Sequence, residues 1–265
     1  MNAPLAMLLA LGCRETLVSH GHPRGAGPAW EATLERIVQP DGTVDYDALE
    51  ADRSGLDDYV AWIASGQEMR GKKKADHHDF WLNAYNALVI FQVLERGRPA
   101  SVMDVDGWLP VPGSGFFLET QFQVGVDALS LSEIEHERVR MKELNYRDHA
   151  ALNCASLGCP PLRPELYVKE RLKEQLTEQM DLWMADREKG VRVEDGVAVF
   201  SPIFDWYAFD FEFTSGGLNP CEIAAQHTVG PIRDELAALG RTGCPHRFMG
   251  YDWRLNDARS TPAGP

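Results

Sequence analysis

The stretch HHDFWLNAYNALVIFQVLERG, His77 to Gly97, constrains the fold more than any other. Phe80, Ala84, Ala87, Leu88, Phe91 and Leu94 recur at helical spacing on one face, and the other faces are almost as apolar. A helix that is apolar nearly all round must be covered on every side, so it belongs at the centre of the core. Gly97 fits a C-cap, with Pro99 just beyond it. The polar interruptions Asn83 and Asn86 read as amides that bond the main chain of neighbouring loops.

Other segments change period around this helix. Leu56, Tyr59, Val60 and Ile63 predict a second helix, and Val44 to Leu49 reads as a short strand running into a helix start. Phe116, Leu118, Gln121, Gln123 and Val126 suggest a hairpin turning near Glu119 and Thr120. Ser130 or Ser132 then caps a helix with Glu133 and Glu135 in its first turn. PELYVKERLKEQLTEQMDLWMAD predicts an amphipathic helix with Leu172, Leu176, Met180 and Trp183 inward. VRVEDGVAVF is a hairpin with Asp-Gly at its turn. Helices and hairpins alternate without βαβ regularity, which reads as α+β, helices packed on a small antiparallel sheet. Residues 1–29 read as an N-terminal tail, a weak signal or lipoprotein segment followed by a Gly-, Pro- and His-rich linker. Residues 30–256 read as a single domain and 257–265 as a flexible tail.

At 265 residues the chain buries enough surface to fold without disulfides or metals. Its net charge of −14 argues against nucleic acid and against an anionic membrane surface. The one basic run, Arg70 to Lys74, reads as a solvated loop. No segment is long and apolar enough to be transmembrane. The five cysteines are an odd number, so at least one thiol stays unpaired within the chain. Cys13 follows a short apolar run and loosely matches a lipidation site, leaving export and a cytoplasmic location both open.

The chemistry concentrates in HAALNCASLGCPPLRPELY, His149 to Tyr167. Cys154 and Cys159 admit three roles: a short-ring disulfide, a metal site or an attacking thiol. Cys-x4-Cys lacks a second close ligand pair, so the metal signal is poor, and nothing calls for a cofactor. A nucleophilic Cys154 needs a histidine base, for which His136 and His149 are nearest in sequence. Glu133 and Glu135 are placed to orient His136. The small residues after Cys154 allow a tight turn whose amides, at Ala155 and Ser156, could stabilise an oxyanion. Asn83 and Tyr85 would line the pocket or hold the cysteine loop. Trp206, Tyr207 and Trp253 read as core aromatics more than as a binding platform.

Five motifs in order, DFWLNAYNAL, LSLSEIEHERVR, ALNCASLGCPPLRPELY, FDWYAFDF and YDWRLN, resemble the uncharacterised family called domain of unknown function 547. The resemblance spans roughly Asp41 to Asn256. The order His136 before Cys154 is also similar, distantly, to permuted papain-like thiol hydrolases. In those enzymes the cysteine opens a helix, whereas here Pro160 and Pro161 limit any such helix to one turn.

The leading expectation is a cysteine-dependent hydrolase or acyltransferase acting on an amide, peptide or thioester bond. Cys154 is its nucleophile and His136 its base, oriented by Glu135 or Glu133; its substrate is a peptide or small molecule. A non-catalytic protein-binding scaffold with structural cysteines is the alternative. A thiol-redox protein using Cys154 and Cys159 is the second.

Overall fold

The computed structural model describes residues 14–68 and 77–260. Cys13, its apolar run and the basic run Arg70 to Lys74 lie outside the described residues. The chain is α+β, with two small three-stranded mixed sheets rather than one antiparallel sheet.

Helix α4 (His78–Glu95) is the centre of the larger core, and every residue from Phe80 to Leu94 is buried. Beside it lies α3 (Ser54–Ser65), whose Leu56, Tyr59, Val60 and Ile63 face inward. Trp62 of α3 meets Phe80 edge-on at 5.7 Å. Helix α1 (Ala26–Ile37) covers α3, with Trp30 stacked 6.2 Å from Tyr59. The expected strand at Val44 to Leu49 is absent: Val44 makes only isolated bridges and α2 (Tyr46–Ala51) starts at once, capped by Asp45.

The first sheet joins β1 (Thr16–Leu17), β2 (Gln121–Val124) and β3 (Asp127–Ser130). The expected linker over residues 14–28 is therefore built into the fold. β1 runs parallel to β2 and closes its edge, and Ser19 Oγ donates to Asp57 O at 2.7 Å. The β2–β3 turn falls at Gly125, whose φ of +61° suits glycine, and not at Glu119–Thr120. Glu119 is drawn away because its carboxylate accepts the N–H groups of Trp108 and Leu109 at 2.8 and 2.9 Å. Residues Gly115–Glu119 instead form a π-helical turn.

Ser130 caps α5 (Leu131–Glu133) in a reciprocal box with Glu133. The helix continues as a π-helical stretch, Ile134–Arg140, and ends in α6 (Met141–Glu143). After α7 (Asp148–Ala151) and the cysteine loop, α8 (Leu172–Ala185) buries Leu176, Met180 and Trp183. It starts later than PELYVKER suggests, because residues 164–171 run in turns.

A second core forms around α8 and the hairpin β4 (Val191–Glu194) and β5 (Val197–Phe200), turned at Asp195-Gly196 as read. β6 (His246–Phe248) adds in parallel to β5. Helices α9 (Ile203–Trp206), α10 (Ala208–Thr214), α11 (Pro220–Gln226) and α12 (Pro231–Arg241) complete it. Phe204 and Phe211 stack at 4.1 Å inside. A Cys221–Cys244 disulfide ties α11 to the end of α12.

The chain then returns to the first core. Ser101 pairs with Arg254, Ser156 with Leu255 and Val44 with Asp257. Asp257 is buried, not part of a free tail. Burial raises its carboxyl pKa, but bonds from Arg259 and Arg98 outweigh this and hold it at about 2. Among the described residues no helix is long and apolar enough to cross a membrane.

The two disulfides differ in what they close. Cys221 and Cys244 are separated by 23 residues, so their bond removes real loop entropy from the unfolded chain, about 3 kcal/mol. A Cys221→Ala/Cys244→Ala variant is expected to lose about that much stability, read as a lower urea midpoint, with a steeper slope because the uncrosslinked unfolded chain exposes more surface.

Candidate functional site

Helix α4 fixes the cysteine loop through its two asparagines. Asn86 Nδ2 donates to Ala151 O and Asn86 Oδ1 accepts the Asn153 N–H, both at 2.9 Å. Asn83 does the same for one residue, donating to Tyr167 O at 2.8 Å and accepting its N–H at 2.9 Å. Inside the loop, Asn153 Nδ2 donates to Pro160 O at 2.8 Å, and Asn153 Oδ1 accepts the Ala155 N–H at 2.9 Å. Ala155 takes the left-handed region, φ +60°, so the chain reverses immediately after Cys154. Residues 252–256 lie across the turn: Leu157 N–H donates to Arg254 O and Gly158 N–H to Asp252 O.

This reversal brings Cys154 and Cys159 together as a disulfide, their Cα atoms 6.2 Å apart. The Tyr251 hydroxyl lies 3.2 Å from both sulfurs. Cys154 opens no helix, so the helix dipole of papain-like sites is missing here.

Both sulfurs line a cavity of about 230 Å³. Its walls include Tyr85 of α4 and two π-helical segments, Phe117 and Leu118 from one, Glu135 and His136 from the other. π-Helical turns recur at functional sites because they re-aim side chains within a helix. His149, Trp206, Tyr207, Tyr251 and Trp253 supply much of the rest.

The polar groups are wired in two sets. Tyr207 Oη donates to Glu135 Oε1 at 2.6 Å and Tyr85 Oη to Oε2 at 3.3 Å. Burial first, then the Glu135 charge, raises the pKa of both phenols, so they stay protonated and donate. In the second set, Asp210 accepts from Arg140 at 2.6 Å and from His149 Nε2 at 2.9 Å. Burial opposes ionisation of Asp210, but these two bonds and charges outweigh it and hold its carboxyl well below the usual range.

The tautomers follow. Arg140 has only donors, and its Nη1 lies 2.6 Å from His136 Nδ1. Nδ1 must accept, so the neutral His136 ring carries its proton on Nε2. His149 is the reverse. It gives Nε2–H to Asp210, and its Nδ1 makes no hydrogen bond among the described residues. The ring is stacked 4.2 Å from Tyr207.

Of the residues picked from sequence, Cys154, His136, Glu135 and Tyr85 share the cavity. Glu133 does not, because its carboxylate caps its own helix and pairs with Arg14 at 3.1 Å. Glu135 bonds two tyrosines rather than His136, so the expected carboxylate-oriented base has not formed. Ala155 and Ser156 are buried away from the lining, and the Ala155 amide is already spent on Asn153. Asn83 serves the Tyr167 backbone. Trp206 is 48% exposed and walls the cavity, while Tyr207 and Trp253 line it and also pack against the two cores. Arg140, Asp210 and Tyr251 were missed, although each lies in one of the quoted motifs. Among the described residues no three His, Cys, Asp or Glu side chains converge to hold a metal ion.

Asp210 also bears on stability. Its folded pKa lies below its unfolded value, so its contribution is present above about pH 4 and lost as pH falls through the folded pKa. Asp210→Asn is expected to cost about 2 kcal/mol near neutrality. The gap from wild type should narrow on acidification below about pH 4, read from urea midpoints at the two conditions.

Comparison with known proteins adds one finding. The family model described as Protein of unknown function, DUF547 matches residues 69–184. No curated protein and no solved structure matches the chain. The matched segment contains α4, His136 and both sulfurs, while the FDWYAFDF and YDWRLN motifs lie beyond it. The resemblance to the DUF547 family therefore holds over residues 69–184, the part of the chain that carries the cysteine loop and the helix clamping it.

Proposed function

We propose that the cavity is a cysteine-dependent acyl-transfer site, a hydrolase or acyltransferase for an amide, peptide or thioester bond, with Cys154 as nucleophile in the reduced protein. One observation carries this reading: a cysteine sulfur shares one small cavity with two imidazoles whose tautomers differ. A dithiol reductant would first supply two electrons and two protons, opening the Cys154–Cys159 bond. His149, oriented by Asp210, offers a lone pair at Nδ1 and is the better base. His136 offers Nε2–H and is the better donor, alongside Tyr251, for an oxygen that gains charge.

The step then balances. Cys154 Sγ forms a bond to the substrate carbonyl carbon and passes its proton to His149 Nδ1. The carbonyl oxygen takes the electron pair and accepts from His136 and Tyr251. The bond to nitrogen or sulfur breaks as the leaving group collects the proton from His149. An acyl-thioester remains for water or another acceptor.

A second reading, a thiol-redox or structural disulfide, is favoured by the Cys154–Cys159 bond itself and by the second disulfide in the same chain. Labelling of the reduced protein with iodoacetamide from about pH 5 to pH 9, with sites assigned by mass spectrometry, separates the two. The acyl-transfer reading expects Cys154 to react well below the ordinary thiol range of about pH 8.5, an effect lost in His149→Asn and kept in His136→Gln. Labelling of wild type only near that ordinary range would sink it and leave the disulfide reading standing.

A further inference from the structure

Among the described residues Glu135 is the one carboxylate on the cavity lining, and no Lys or Arg lines the cavity with it. Its two hydrogen bonds come from neutral phenols, so neither cancels its charge. Each carboxylate oxygen keeps a lone pair for a further donor. Arg140, five positions on, gives its hydrogen bonds to Asp210 and His136 and lies 4.5 Å from the Tyr207 ring centroid, so its charge reaches Glu135 only through space. Glu135 has no direct ion-pair partner among the described residues, so a cation entering the cavity would meet its carboxylate directly.

The walls suit such a cation. Trp206 and Trp253 stack with centroids 5.7 Å apart and planes 17° apart, and Tyr251 tilts against Trp253 at 4.5 Å. This spacing leaves no room for a ring between the two indoles, so they act as one aromatic wall beside the carboxylate. Indole and phenol faces attract alkylammonium groups through the ring quadrupole, most strongly where water is displaced. The net charge of −14 raises the local concentration of cations around the chain.

We infer that this cavity binds an organic cation, an alkylammonium group held between the Glu135 carboxylate and the Trp206–Trp253–Tyr251 wall. The inference rests on the cavity being the functional site proposed above, and it names the substrate class: an acyl compound, or an acyl acceptor, that carries an amine.

The test uses the full chain with its disulfides intact, so no cysteine chemistry is read. Binding of n-butylammonium, butan-1-ol and butyrate is measured by calorimetry and by quenching of tryptophan fluorescence. The ammonium is expected to bind at least tenfold more tightly than the alcohol, and butyrate most weakly. Glu135→Gln, checked for an unchanged far-ultraviolet spectrum, is expected to lower ammonium affinity about tenfold and leave the alcohol unaffected. Equal binding of ammonium and alcohol by wild type, or no binding of either, overturns the inference without any variant. An unchanged ammonium affinity in Glu135→Gln also overturns it. Cation binding by a protein whose reduced Cys154 is inert would keep the organic-cation site and discard acyl transfer. An activated Cys154 in a protein blind to charge would do the opposite.

Discussion

Two amide side chains on one buried helix decide where the sulfurs sit. Helix α4 is packed on all sides, so Asn83 and Asn86 cannot turn to water and must find partners inside. Each presents a donor and an acceptor together, which matches the N–H and C=O of an irregular backbone. Asn86 takes the chain at Ala151 and Asn153, just before Cys154, and Asn83 takes it at Tyr167. The loop between is held at both ends to the buried central helix. Losing either amide would strand buried main-chain groups at about 1–3 kcal/mol each.

The cavity lies where the two cores meet. Tyr85 and Leu152 belong to the first, and Ile203 to the second. Arg140 and Asp210 form an ion pair between them, and their contact also sets the histidines apart. One arginine fixes the Nδ1 of His136 as an acceptor, and the aspartate it pairs with fixes the Nε2 of His149 as a donor. The chemical difference between two otherwise similar rings therefore depends on one salt bridge between distant parts of the chain.

Much of the fold could be read directly from the sequence because it is periodic. The α4 face, the inner residues of α3 and α8, and the Asp-Gly hairpin all follow from spacing. The failures are places where a long-range partner outvoted a local pattern. Glu119 would suit a turn, but two amides at residues 108 and 109 capture it and the turn moves to Gly125. Residues 14–17 look like linker by composition, and only the free edge of β2 makes them a strand. At the site, Glu135 and His136 both line the cavity, but they are not bonded to each other. Tyr85 and Tyr207 are distant in sequence, and they claim the carboxylate that adjacency had assigned to the imidazole. Arg140, four positions on, was available at helical spacing all along.

The return of residues 251–257 across the cysteine loop sets an order of assembly. Synthesis delivers α4 and both sulfurs well before Tyr251, Trp253 and the carbonyls that receive the Leu157 and Gly158 amides. A nascent chain stopped short of residue 251 would hold the two cysteines with one wall missing and their turn unbraced. Closure of the site is thus tied to translation having passed that point, and a growing chain has no finished cavity to fill.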